Sequence, residues 1–209
     1  MSHLIELFIT TVAALFPITT PFGNAAILQS LTQSNTTAER HDFARRGALY
    51  MVAILTVFFI GGNAITSFFG ISIAGIRIAG GLVITRFGFG QLTPRREQTH
   101  SDAEHAEASN KADIAFSPLT MPLLAGPGAI AAVMTVFSTI ERTGFEQHLA
   151  VFTGIVVGGI ISWLILRESD LIMQKLGVIG ANAVTKIMGF LLLCIGVQLV
   201  IDGVLELKS

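Results

Sequence analysis

The side chains best placed to do chemistry gather around prolines. Thr19, Thr20, Gly23 and Asn24 surround Pro17 and Pro21, and Thr120, Gly126 and Gly128 accompany Pro118 and Pro122. Two prolines four apart remove two amide donors and press on the carbonyls before them, while nearby glycines weaken the preference for helix. Backbone hydrogen bonding is therefore expected to fail at both places. Freed carbonyls and amides, together with hydroxyl and carboxamide side chains, suit the binding of a small solute. A half-helix starting near Gly23 or Gly128 would aim its positive end at an anion or carboxylate. The same hydroxyls have a second use, which is to re-satisfy the backbone groups that proline sets free.

Other chemistries find few residues. The five histidines, His3, His41, His100, His105 and His148, show no metal-ligand spacing, and the Gly126-Pro127-Gly128 turn lacks the Lys-Ser or Lys-Thr of a phosphate loop. No catalytic Ser accompanies a Lys or His within the apolar spans, no paired intramembrane Asp occurs, and no His-Glu-x-x-His motif is present. No catalytic residue, metal site or cofactor is expected. The single cysteine, Cys194, sits in an apolar run and is read as packing.

The elements that must carry the proline sites are membrane spans. Of 209 residues, 52% are hydrophobic and 13% charged, with a mean hydropathy of +0.70. A soluble domain carries about a quarter charged residues, so this chain cannot cover a globule in water, and the lipid bilayer is its first partner. Net charge is −1 and no basic run interleaves with aromatics, which argues against nucleic acid. A bilayer core of about 30 Å needs roughly 20 apolar residues. Six stretches qualify, approximately 5–31, 47–69, 72–91, 114–139, 149–167 and 184–205. The first is too long for a cleaved leader and has no positive n-region, so it is expected to stay. Residues 92–113 are almost wholly polar and read as a cytoplasmic linker between a first unit, 1–91, and a second, 114–209.

Two echoes relate these units. Both proline pairs have spacing i, i+4, and Arg77-Ile-Ala-Gly80 at the start of span three is matched by Lys186-Ile-Met-Gly189 at the start of span six. Three spans separate the halves, so the second enters from the opposite side. The expected fold is an all-α integral membrane protein of six transmembrane helices, a 3+3 inverted repeat with helices one and four broken. Spans one and four, about 27 and 26 residues long, would reach roughly 40 Å if straight, more than the hydrocarbon needs.

Cations set the orientation. Arg40, Arg45, Arg46, Arg86, Arg95, Arg96, Lys111, Arg167, Lys175 and Lys186 fall on one side, against Arg77, Arg142 and Lys208 on the other. Both termini are thus expected in the periplasm. Thr36-Thr37-Ala38-Glu39 has capping-box spacing, so helix two should begin near Thr36 and carry Arg40, Arg45 and Arg46 as anchors. Arg77 is the outlying charge, several residues inside span three, and Asp202 near the outer end of span six is its expected partner, in a pair that would gate the outer face; a snorkelling arginine is the alternative. Gly189, Gly196 and Gly203 recur every seven residues, and Gly154, Gly158 and Ser162 every four, placing each series on one helix face for close packing. Asn63 either lines a cavity or bonds a neighbouring helix.

Gly23-Asn24, Arg77 to Gly81, Phe116 to Ile130 with its Gly-Pro-Gly segment, and Lys186 to Gly189 continuing to Gly203 resemble the MarC family of bacterial inner-membrane proteins over nearly the whole chain. The resemblance implies six spans and a transporter role, with some relatives associated with small neutral amino acids. The family usually places Asn directly before the second proline of span one, where this chain has Thr20, whose hydroxyl can substitute; Arg86 falls where relatives are apolar.

The leading expectation is an inner-membrane transporter of a small solute working by alternating access. The alternatives are a channel or a membrane protein without transport function, and an intramembrane enzyme finds no residues. A homo-oligomer stays open.

Overall fold

The computed structural model describes residues 2–32, 34–93, 114–138 and 144–207. From residue 94 onward, the linker predicted over 92–113 lies outside the described residues, as do Arg142 and Lys208. The described chain is helical, without strands, in eight segments: α1 (Ser2–Thr19), α2 (Pro21–Leu31), α3 (Thr37–Phe69), α4 (Ile73–Leu92), α5 (Ala115–Leu124), α6 (Pro127–Ser138), α7 (Phe145–Arg167) and α8 (Ser169–Glu206). Helix satisfies every backbone group within its own segment, which lipid demands. Among the described residues, five stretches are long and apolar enough to cross a bilayer: His3–Leu31, Thr37–Gly62, Ile73–Leu92, Phe145–Arg167 and Ile179–Glu206. The predicted span 114–139 is instead divided into α5 and α6, of 10 and 12 residues. At 1.5 Å per residue neither crosses alone.

Local signals set the helix ends. The Thr36 hydroxyl accepts from the Glu39 amide (3.3 Å) and Glu39 Oε2 accepts from the Thr36 amide (2.8 Å), so α3 starts on the predicted capping box. It stops at Gly70, whose left-handed backbone (φ 64°) only glycine adopts freely. Within α8, Gly177 (φ 63°, ψ 179°) interrupts the helix, so residues 169–176 form a short arm ahead of the long span.

Large apolar side chains cover the outside, with Phe68 83% and Ile179 86% exposed, as expected for a surface that faces lipid. Inside, Leu15, Leu28, Met51, Leu55, Leu119, Leu124 and Ile155 form the main core. Lipid tails are as apolar as leucine, so helices gain by approaching closely, and small residues permit it. The predicted glycine series does this between α4 and α8. A Cβ on Gly81 would lie 2.5 Å from the Gly196 carbonyl oxygen, one on Gly88 2.8 Å from that of Gly189, and one on Gly203 2.9 Å from that of Ala74. The pairs 74 with 203, 81 with 196 and 88 with 189 run antiparallel in strict register. Gly154 and Gly158 of α7 likewise face Thr11 and Leu15 of α1.

Candidate substrate-binding site

Span one breaks at a single residue. Pro17 is accommodated inside α1, and the chain departs from helix only at Thr20 (φ 37°, ψ 55°), the residue before Pro21. A residue before proline is disfavoured in the right-handed helical region, and a β-branched residue with positive φ is an outlier. Asparagine tolerates this conformation better than threonine, so Thr20 holds the break at a cost in backbone strain. Three of the candidate side chains here are buried. Thr19 Oγ1 donates to the Phe16 carbonyl (3.3 Å) and Asn24 Nδ2 to the Thr19 carbonyl (2.7 Å). Both therefore re-satisfy backbone freed by the break. Thr20, 7% exposed, makes no side-chain cap bond to α2, and its hydroxyl stays uncommitted.

Span four breaks more gradually. Ser117 (φ −134°, ψ 124°) and Met121 (φ −111°, ψ 115°) each precede a proline and are extended. Between them the chain winds with wide turns: the Leu119 amide donates to the Ile114 carbonyl (3.3 Å) and that of Ala125 to Thr120 (2.9 Å), five residues back. The helix ends at Ala125 and restarts at Pro127. Thr120, fully buried, shares its hydroxyl proton between the carbonyls of Ala115 (2.6 Å) and Gly47 (3.2 Å). It therefore joins α5 to α3.

The two breaks correspond differently from the match of proline pairs. Proline is the first helical residue of both α2 and α6, with the first turn closed by Asn24 N–H to the Thr20 carbonyl (3.0 Å) and Ile130 N–H to the Gly126 carbonyl (3.1 Å). It is Pro21 and Pro127, not Pro122, that lead a helix. Helix geometry leaves over the amides of Phe22 and Gly23 at one start, and of Gly128 and Ala129 at the other.

The breaks approach each other. A Cβ on Gly128 would lie 3.7 Å from Ile18 Cγ2 of α1 and 3.2 Å from Ile84 Cγ1 of α4. A small cavity of about 20 Å³ opens here, lined by Ile18, Ile84, Leu123, Gly126, Gly128 and Leu192, with Phe87 and Ala129. That is room for about one water. Gly126 and Gly128 line it. Gly23 faces α8 instead, where its Cβ would lie 3.5 Å from Thr185 Oγ1, and Thr19, Thr20, Asn24 and Thr120 do not line the cavity.

The predicted Arg77 to Asp202 pair is corrected. Arg77 Nη1 lies 3.0 Å from Glu206 Oε2, and Asp202 accepts from Gln198 Nε2 (2.7 Å). The register of α4 on α8 explains it. Arg77 leaves α4 against Gly203, and helical side chains lean toward the N-terminus of their own helix, which in this antiparallel pair carries Arg77 toward the C-terminal end of α8 and so to Glu206, one turn beyond Asp202.

Sequence reasoning read Arg40 as an anchor and missed its partners, buried Thr32 and half-buried Asp170. Its Nε donates to Thr32 Oγ1 (2.8 Å), its Nη2 to the Thr32 carbonyl (3.0 Å), and its Nη1 to Asp170 Oδ1. Gln29 Nε2 donates to the same carboxylate oxygen (3.2 Å). Arg40 and Asp170 lie 130 positions apart, so no local pattern marks the pair.

A chain whose described residues are all-helical, with an apolar exterior, five membrane-length stretches and helices interrupted beside prolines, is an integral membrane protein. This chain belongs to the MarC family of integral membrane proteins, which matches residues 5–207. It is 37% identical over 202 residues to the inner membrane protein MarC of Escherichia coli strain K12, covering 92% of this chain and 91% of the relative. The same identity and coverage hold for the inner membrane protein MarC of Citrobacter koseri and of Shigella flexneri. No solved structure matches.

Proposed function

We propose that this protein is an inner-membrane transporter that moves a small solute by alternating access between two halves of inverted topology, α1–α4 and α5–α8. The α5–α6 pair is the sixth span. Support comes from packing that survives exchange of the halves. The contact of α1 with α7 is answered by α5 with α3, α2 with α8 by α6 with α4, α2 with α7 by α6 with α3, and α1 with α6 by α5 with α2. Across the exchange axis α3 meets α7 and α4 meets α8. The left-handed glycines Gly70 and Gly177 likewise stand just ahead of α4 and of the long part of α8. The cation count supports both termini in the periplasm.

The observation that carries the transporter reading is the approach of the α6 start, at Gly128, to the end of α1, at Ile18, just ahead of the first break, with left-over amides at Phe22, Gly23, Gly128 and Ala129 and the Thr20 hydroxyl at the first break. Such ends suit a carboxylate, and the family resemblance makes a small neutral amino acid the solute. The apolar lining at Ile18, Ile84 and Leu192 suits a short aliphatic side chain. Thr19, Asn24 and Thr120 then hold the breaks in shape.

Uptake of radiolabelled small neutral amino acids into proteoliposomes tests this. Saturable uptake that falls when Gly128 or Asn24 is replaced supports it. Unchanged flux in both variants counts against the site, and steady conductance in planar bilayers without saturable uptake assigns a channel instead.

A further inference from the structure

The Arg40 cluster plays no part in the site just described, yet it ties together segments of both halves. Gln29 lies on α2, Thr32 just beyond its end, Arg40 near the start of α3, and Asp170 in the first turn of α8. Helices α2 and α8 pack along a seam. At the end nearest the first break, Gly23 meets Thr185; at the other end, Gln29 and Arg40 reach Asp170. The answering seam, α6 on α4, is closed by small residues, with a Cβ on Gly80 only 2.5 Å from the Ala131 methyl carbon. One seam is packed shut, and the other is tied shut by polar bonds.

We propose, resting on the alternating-access reading, that Arg40, Thr32, Gln29 and Asp170 form a latch. It closes the α2–α8 seam at the cytoplasmic face, and the arm of residues 169–176 is the part that moves. Arg40 is the fixed side of this latch. Two of its donors hold Thr32, one on the hydroxyl and one on the carbonyl, which also accepts from the Asn35 amide (3.1 Å), and its side chain is only 11% exposed. Asp170 is the releasing side. Its carboxylate, 34% exposed, is already open to water and need not be stranded when it departs. Gly177 supplies the pivot, since its backbone is left-handed and no atom lies within 4 Å of where its Cβ would be. Opening then exchanges two bonds to one carboxylate oxygen for water, while the rest of α8 keeps its glycine register on α4.

The test places a cysteine in the seam and measures its access from each side. In the full-length protein carrying Cys194→Ser and Thr185→Cys, labelling by a membrane-impermeant maleimide is followed in inside-out and right-side-out vesicles. The latch predicts slow labelling in this parent. Asp170→Asn or Arg40→Gln should speed it about tenfold from the cytoplasmic side alone, and Arg40→Lys, which keeps the charge, should restore part of the protection. An unchanged rate in both variants, with thermal unfolding in detergent like the parent's, overturns the latch. An equal rise from both sides also overturns it, because that is general loosening. If one variant unfolds, the other decides. Failure of the transport reading shows separately, as one-sided labelling changes in a protein that takes up no solute.

Discussion

The two breaks reach the same geometry by different means. At the first, the departure from helix is concentrated in Thr20, a β-branched residue held at φ 37°, and a single carboxamide, Asn24, takes up the carbonyl that the break exposes. At the second, the departure is shared among extended Ser117 and Met121, the wide turns of α5 and the Gly126 connection. Concentrated strain depends on one or two side chains, whereas distributed strain depends on none in particular. The first break should therefore respond sharply to single substitutions and the second mainly to lost space.

The largest effect is expected from filling the meeting point. Gly128→Leu should abolish uptake, at a cost of about 1–3 kcal/mol in unfolding free energy, because Ile84 and Ile18 already stand where its side chain must go. Retained uptake would separate the cavity from the pathway. Next, Asn24→Ala leaves the buried Thr19 carbonyl unsatisfied and should lower unfolding free energy in detergent by about 1–3 kcal/mol. Thr120→Val should cost less, because the carbonyls it serves belong to helical segments with other bonds, so the ratio of the two losses measures how unequal the breaks are. In the opposite direction, Thr20→Asn should raise stability by about 1 kcal/mol by relieving the left-handed strain, and Thr20→Gly should do so as well. Smaller still, Glu206→Gln should destabilise by under about 1 kcal/mol, as a part-exposed ion pair does, with Asp202→Asn weaker again. Smallest is Gly23→Ala, whose added methyl makes an ordinary contact with Thr185 and should change unfolding little.

What the sequence made legible was local. The capping box at Thr36 and the seven-residue glycine series could be read because each depends on residues a few positions apart, and the structure uses both as read. The prolines marked where helices fail but not the register of failure. Pro17 is tolerated inside α1, and Pro127, not Pro122, restarts the second helix. The partner of Arg77 required the crossing of α4 on α8, which sets Glu206 rather than Asp202 within reach. The Arg40 and Asp170 contact joins distant parts of the chain and has no local signature.

The central claim is that the two breaks meet and that their movement carries solute. Ile18→Cys with Ala129→Cys, which line the cavity from α1 and α6, in a Cys194→Ser background, tests it directly: uptake into proteoliposomes is measured after mild oxidation and again after reduction. The account predicts that the disulfide forms readily, stops uptake and releases it on reduction. A pair that never cross-links, or one that cross-links while uptake continues, would contradict it.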